Sequence, residues 1–119
     1  MIEIESRDGH LIFKDYLGRE IIIAEEDYLA LIANPKAQEI RPNLEDCLKT
    51  PTEVWWMVED IDGKSYSYYK YLKIYRDLVF VAYVLHDATM NFSLNNFYAY
   101  DEQNFAGAEN ERRGQLVKG

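Results

Sequence analysis

Between residues 53 and 100, blocks of β-branched and aromatic residues are separated by turn residues, the pattern of consecutive antiparallel strands. Residues 53–59 (EVWWMVE) form the first block, and the turn at 60–63 ends in Asp62 and Gly63, a pair suited to a tight hairpin. Residues 64–75 predict a long second strand, with Arg76 and Asp77 as the next turn. The run 78–86 is apolar almost throughout, so a central strand covered on both faces is expected. A loop at 87–91 leads to a last strand at 92–100, interrupted near Asn95 and Asn96.

Upstream, residues 11–16 and 20–24 flank Leu17, Gly18 and Arg19, and Gly18 supplies the positive φ of a hairpin. Glu25, Glu26 and Asp27 then place negative charge where a helix begins. Tyr28, Leu29, Leu31 and Ile32 give that helix an apolar face, and Asn34 followed by Pro35 ends it. A second helix starts at Pro42, carries Leu44, Cys47 and Leu48 on its buried stripe, and closes at Thr50 and Pro51. The tail after Asp101 is polar, with 115–117 either a short strand or a loose end. The expected fold is α+β: two short helices packed on an antiparallel β-meander, with an N-terminal β-hairpin, in a single domain spanning 1–119.

Composition adds limits. A hydrophobic fraction of 48% is enough for a sizeable core. No apolar run approaches the ~18 residues of a membrane span, and the N-terminus has no signal-peptide pattern. Cys47 is the only cysteine, which excludes an internal disulfide and a multi-cysteine zinc site and predicts a reducing, cytoplasmic setting. The net charge is −8, a field that repels phosphates. The acid is concentrated in residues 1–62, with 15 acidic against 6 basic side chains, whereas 63–119 hold 6 against 7. An anion is therefore expected to meet the C-terminal half.

Few residues offer chemistry. His86 ends the apolar strand beside a loop and can act as acid or base near neutrality. His10 lies in a turn and reads as structural. The strand 64–75 carries five of the ten tyrosines. Alternation puts Tyr66, Tyr68, Lys70, Leu72 and Ile74 on one face, so Lys70 sits inside an aromatic and aliphatic row. Such a lysine either snorkels to an edge or is held in a cleft, where it can stabilise a phosphoryl transition state. Tyrosines on a strand also stack on unpaired bases, although they are ordinary strand residues too. Arg112 and Arg113 suit phosphate, while Glu102, Glu109 and Glu111 are placed to neutralise them. No metal loop, P-loop, dinucleotide fingerprint or nucleophile elbow is present, so no metal and no cofactor is expected.

Taken in order, five short stretches resemble a phage-associated nuclease family of the barnase, EndoU, colicin and RelE-like group. They are 15–19 (DYLGR) with 21–23, 48–51 (LKTP) with 53–55, 68–70 (YYK), 97–100 (FYAY) and 112–116 (RRGQL). The resemblance implies metal-independent RNA cleavage, in which a base takes the 2′-hydroxyl proton and cations stabilise the phosphoryl transition state. It implies catalytic roles for Lys70, Tyr98 and Arg113, with His86 as a substitute acid or base. Arg112 and Tyr68 are then substrate-binding residues. The chain departs from the family pattern in two places. Residues 28–33 lack the helix histidine, and Tyr98 stands where a small hydroxyl residue usually precedes Ala-Tyr. Three readings follow: an active ribonuclease, a non-catalytic member binding RNA or a protein partner, and an acidic interaction module of immunity type. A basic cleft around Lys70 and the arginines favours the first two. An acidic face with Lys70 tied into a salt bridge favours the third. The oligomeric state is not fixed by the sequence.

Overall fold

A computed structural model describes residues 5–86 and 92–119. The loop expected at 87–91 lies outside them. Eight strands form one sheet: β1 (Glu5–Arg7), β2 (His10–Lys14), β3 (Glu20–Ala24), β4 (Glu53–Ile61), β5 (Lys64–Ile74), β6 (Leu78–His86), β7 (Phe92–Asp101) and β8 (Gln115–Lys118). Their spatial order is β1-β2-β3-β7-β6-β5-β4-β8, antiparallel throughout except where β3 runs parallel to β7. The meander β4–β7 falls where the patterning put it. The turn at Asp62 and Gly63 has φ of 51° and 80°, both positive, as a two-residue hairpin that follows strand twist requires.

Two features correct the expected architecture. The sheet dominates the fold, because the N-terminal strands join the meander through β3 and β7 and the tail adds β8 on the outer edge of β4. There are three short α-helices among the described residues: α1 (Glu25–Ile32), α2 (Pro35–Ile40) and α3 (Asn43–Lys49). Asn34 and Pro35, read as a helix end, also start α2. The Asn34 Oδ1 accepts the Lys36 backbone N–H at 2.9 Å, and Pro35 occupies the first turn, where its missing N–H costs nothing.

The helices cover one face of the sheet. Phe13, Ile21, Leu44, Leu48, Val54, Tyr71 and Phe80 are sealed there, and each such side chain contributes about 2 kcal/mol by leaving water. Cys47 is among them; its thiol gives a hydrogen bond to the Tyr71 carbonyl at 3.3 Å, and burial pushes its pKa well up, so it stays a thiol. The opposite face holds a smaller cluster of Leu72, Val79, Val81 and Ala108, roofed by a 3₁₀ segment, Phe105–Glu111. The turn after that segment needs Gly114. Its φ is 91°, and a Cβ there would meet the Trp56 carbonyl oxygen at 2.2 Å.

Candidate active site

Register in the sheet fixes which residues meet. Trp55 pairs with Lys70, Lys70 with Tyr83, and Tyr83 with Asn96, so these four form one rung across β4, β5, β6 and β7 on the face away from the helices. The rung exists because of a bulge. Between Tyr83 and Val84 the pairing slips, Asn95 is left as the extra residue, and Asn96 and Tyr98 turn toward Lys70 while Leu94 and Phe97 stay in the main core.

Lys70 and Glu111 are buried at 9% and 7% exposure. The Lys70 Nζ lies 3.3 Å from the Glu111 Oε1 and 5.7 Å from the centre of the Tyr83 ring. The other carboxylate oxygen accepts hydrogen bonds from the hydroxyls of Tyr98 and, at 3.3 Å, Tyr100. A lysine inside an aromatic row is therefore compensated by a carboxylate from the roof, and the carboxylate by two phenols. Burial, then the bond to Glu111, drives the Tyr98 phenol well above its ordinary pKa. Tyr83 is pushed up to about 12, chiefly by burial.

The residues singled out in the sequence divide clearly. Lys70 and Tyr98 come together, joined by Glu111. Tyr68 packs beside them, its ring centre 5.0 Å from that of Tyr83. Arg112 is on the same side, but it is committed to Glu53 at 2.8 Å and to Glu109. The bond that Arg112 donates to Glu53 raises the Arg112 pKa. Burial opposes ionisation of Glu53, yet hydrogen bonds from Trp55 and Arg112 hold its carboxyl below the usual range. Arg113 is exposed and makes no hydrogen bond or ion pair among the described residues.

His86 is not brought to Lys70. It pairs with Ser67, whose side chain faces the helix side with Tyr69 and Tyr71. There its ring stacks on Phe92 at 4.4 Å and 4°, and its Nε2 is buried without a hydrogen-bond partner among the described residues. The residue that sequence reasoning missed is Glu111, set aside as a counter-charge for the arginines. The only signal was a carboxylate just before the Arg112 and Arg113 pair, and its partner Lys70 lies far away along the chain.

Two further features lie outside this centre. A groove of about 530 Å³ runs between α1, α2 and β7, beside Tyr98. It exists because β3 pairs with β7 only at Phe92 and Ser93, leaving the rest of that edge without a strand among the described residues. On the helix face, Asp15 is buried and accepts bonds from the Leu17 and Arg19 backbone N–H groups, the Arg19 Nε at 2.8 Å and the Tyr71 hydroxyl at 2.7 Å. That is the structural content of the 15–19 turn. No group of three or more His, Cys, Asp or Glu residues is arranged to hold a metal among the described residues.

A sheet with one face sealed by helices and the other carrying a buried lysine–carboxylate–phenol cluster suits a nuclease-like domain. The profile of the phage-Barnase-EndoU-ColicinE5/D-RelE like nuclease2 family matches residues 2–117, and the chain belongs to that family. No curated protein and no solved structure matches it.

Proposed function

We propose that the chain is a divergent ribonuclease of this family that cleaves single-stranded RNA without a metal, with Lys70, Glu111 and Tyr98 at its centre. The observation that carries the reading is the contact of Lys70 with Glu111 on the face opposite the helices, which supplies a cation and a carboxylate within one ligand's reach. Glu111 takes the part of the absent helix histidine and accepts the proton of the 2′-hydroxyl. The 2′-oxygen bonds to phosphorus, the bond to the 5′-oxygen breaks, and the Lys70 ammonium steadies the developing charge and protonates the leaving oxygen. The products are a 2′,3′-cyclic phosphate and a 5′-hydroxyl. Tyr98 orients the carboxylate, Tyr68 flanks the centre, and the uncommitted Arg113 meets phosphate.

A second reading is favoured by the same pair. Both side chains are about nine-tenths covered, and the ammonium is already matched, as expected of an acidic protein-binding module with a disabled site. Cleavage of a labelled single-stranded RNA in chelator by the natural chain, Lys70→Ala and Glu111→Gln separates the two. Cyclic-phosphate product from the natural chain, reduced at least ~100-fold in both variants, supports catalysis. No product, or equal product from all three, sinks it and supports the binding module.

A further inference from the structure

We propose that the groove between α2 and the free edge of β7 is a nucleobase subsite, taking one unpaired base of the RNA whose phosphodiester lies at Lys70. This rests on the ribonuclease reading and names how its substrate is held.

Position is the first argument. Asn96 borders the groove and shares a rung with Lys70, separated from it by Tyr83 alone. Two strand spacings put the two backbones about 10 Å apart, the reach of one nucleotide from its base to a flanking phosphodiester. Tyr98 belongs to both places: it borders the groove, and its hydroxyl is bonded to Glu111.

The second argument is the unmatched polar groups. The Asn34 Oδ1 is committed to the Lys36 N–H and the Asn96 Oδ1 to the Phe97 N–H at 2.8 Å, and neither carboxamide N–H₂ group has a partner among the described residues. The Asn104 Nδ2 donates to Asp101 at 3.0 Å and leaves its carbonyl available. The groove therefore offers fixed donors and an acceptor, the complement of a base edge.

Size and charge select the occupant. The volume of about 530 Å³ lies within the range for small-ligand sites. Ala30, Ala37 and Ala99 leave room for a flat ring. The ionisable groups on the walls are Lys36, Glu39 and Asp101, a balance of −1, which suits a neutral ring and turns a phosphate away toward Lys70.

The test uses an oligonucleotide with 2′-fluorine in place of each 2′-hydroxyl, which has no attacking oxygen, so binding is read apart from chemistry. The side-chain amide resonances of Asn34, Asn96 and Asn104 are followed by NMR during titration. They are expected to shift saturably in the natural chain and in Lys70→Ala. Ala37→Trp, which fills the groove, is expected to weaken binding by about tenfold or more, the worth of one base stack. Asn96→Leu, at an exposed position, should weaken binding as well, and serves if the tryptophan disturbs α2. Binding without shifts at these amides, no binding, or unchanged affinity in both groove variants overturns the subsite. RNA cleavage that depends on Lys70 but comes without groove shifts sinks the subsite alone. Groove shifts without any RNA cleavage support the subsite and sink the catalytic reading instead.

Discussion

The Glu111 carboxylate lies 3.3 Å from the Lys70 ammonium, and the two groups leave water together under the 3₁₀ segment. Removing either one leaves the other buried without its counter-ion, a change that costs about 3–5 kcal/mol. Lys70→Ala should be the milder, because Tyr98 and Tyr100 still donate to Glu111. The double variant Lys70→Met, Glu111→Leu should recover most of the loss. Urea unfolding of the natural chain, Lys70→Met, Glu111→Leu and the double variant checks this, and single losses that simply add in the double variant would show that the pair is not coupled.

Asp15 and Tyr71 are the corresponding pair on the helix face, joined at 2.7 Å within the main core. Tyr71→Phe keeps the ring and removes one donor from a buried carboxylate that retains Arg19. A loss of about 1.5–3 kcal/mol is expected, the worth of a hydrogen bond to a charged group. Asp15→Ala should cost more, since the Arg19 and Leu17 N–H groups and the Tyr71 hydroxyl all lose their acceptor. Thermal unfolding ranks the two, and the reverse order would remove Asp15 as the organiser of this turn.

Tyr75 should shape stability at both ends of the pH scale. Its hydroxyl donates to Asp46 at 2.6 Å, and that bond, helped by Lys73, holds the Asp46 carboxyl below its usual range. A lowered folded pKa gives stability that is present above about pH 4 and is lost as the pH falls through the folded value. Tyr75 itself is pushed up, by burial and then by Asp46. The unfolded chain releases that proton near pH 10 while the folded chain keeps it, so stability also falls as the pH rises above about 10. Tyr75→Phe is expected to flatten both limbs of a stability–pH curve. An unchanged acid limb would mean that the bond to Asp46 does not persist in solution.

Gly114→Ala should loosen β8. The φ of 91° disfavours any side chain, and the Cβ would collide with the Trp56 carbonyl, so a loss of about 1–3 kcal/mol is expected. Hydrogen exchange would report the loss at the β4 edge from Val54 to Trp56, where β8 pairs, while β6 stays protected. Equal loosening everywhere would point to a global effect.

The parts of the fold that are legible in the sequence are those written locally. Strand pattern and the Asp62–Gly63 turn give the meander, and the acidic triplet at 25–27 marks α1. The helix α2 was hidden because Asn34 and Pro35 serve equally as a stop and as a start. The site was half legible. Alternation along β5 exposes the odd placement of Lys70 in its apolar row. Which side chain compensates it depends on how the tail folds back, and no local pattern carries that. That His86 lies on the other face from Lys70 was hidden for a related reason. Its position at a strand end is visible, but its face depends on the pairing with Ser67, which a single strand does not encode.

The roof over Lys70 comes from chain synthesised after the meander it covers. During translation β4 to β7 leave the ribosome first, so the sheet presents its lysine to solvent before Glu111 exists outside the tunnel. Until the stretch beyond Asp101 has emerged and folded back, the cluster has a cation and no carboxylate. A nascent chain attached to its own messenger would thus lack the group assigned as base, and competence would arrive only with the 3₁₀ segment. Under the proposed ribonuclease reading, the order of synthesis would hold cleavage back until the 3₁₀ segment has closed over the sheet.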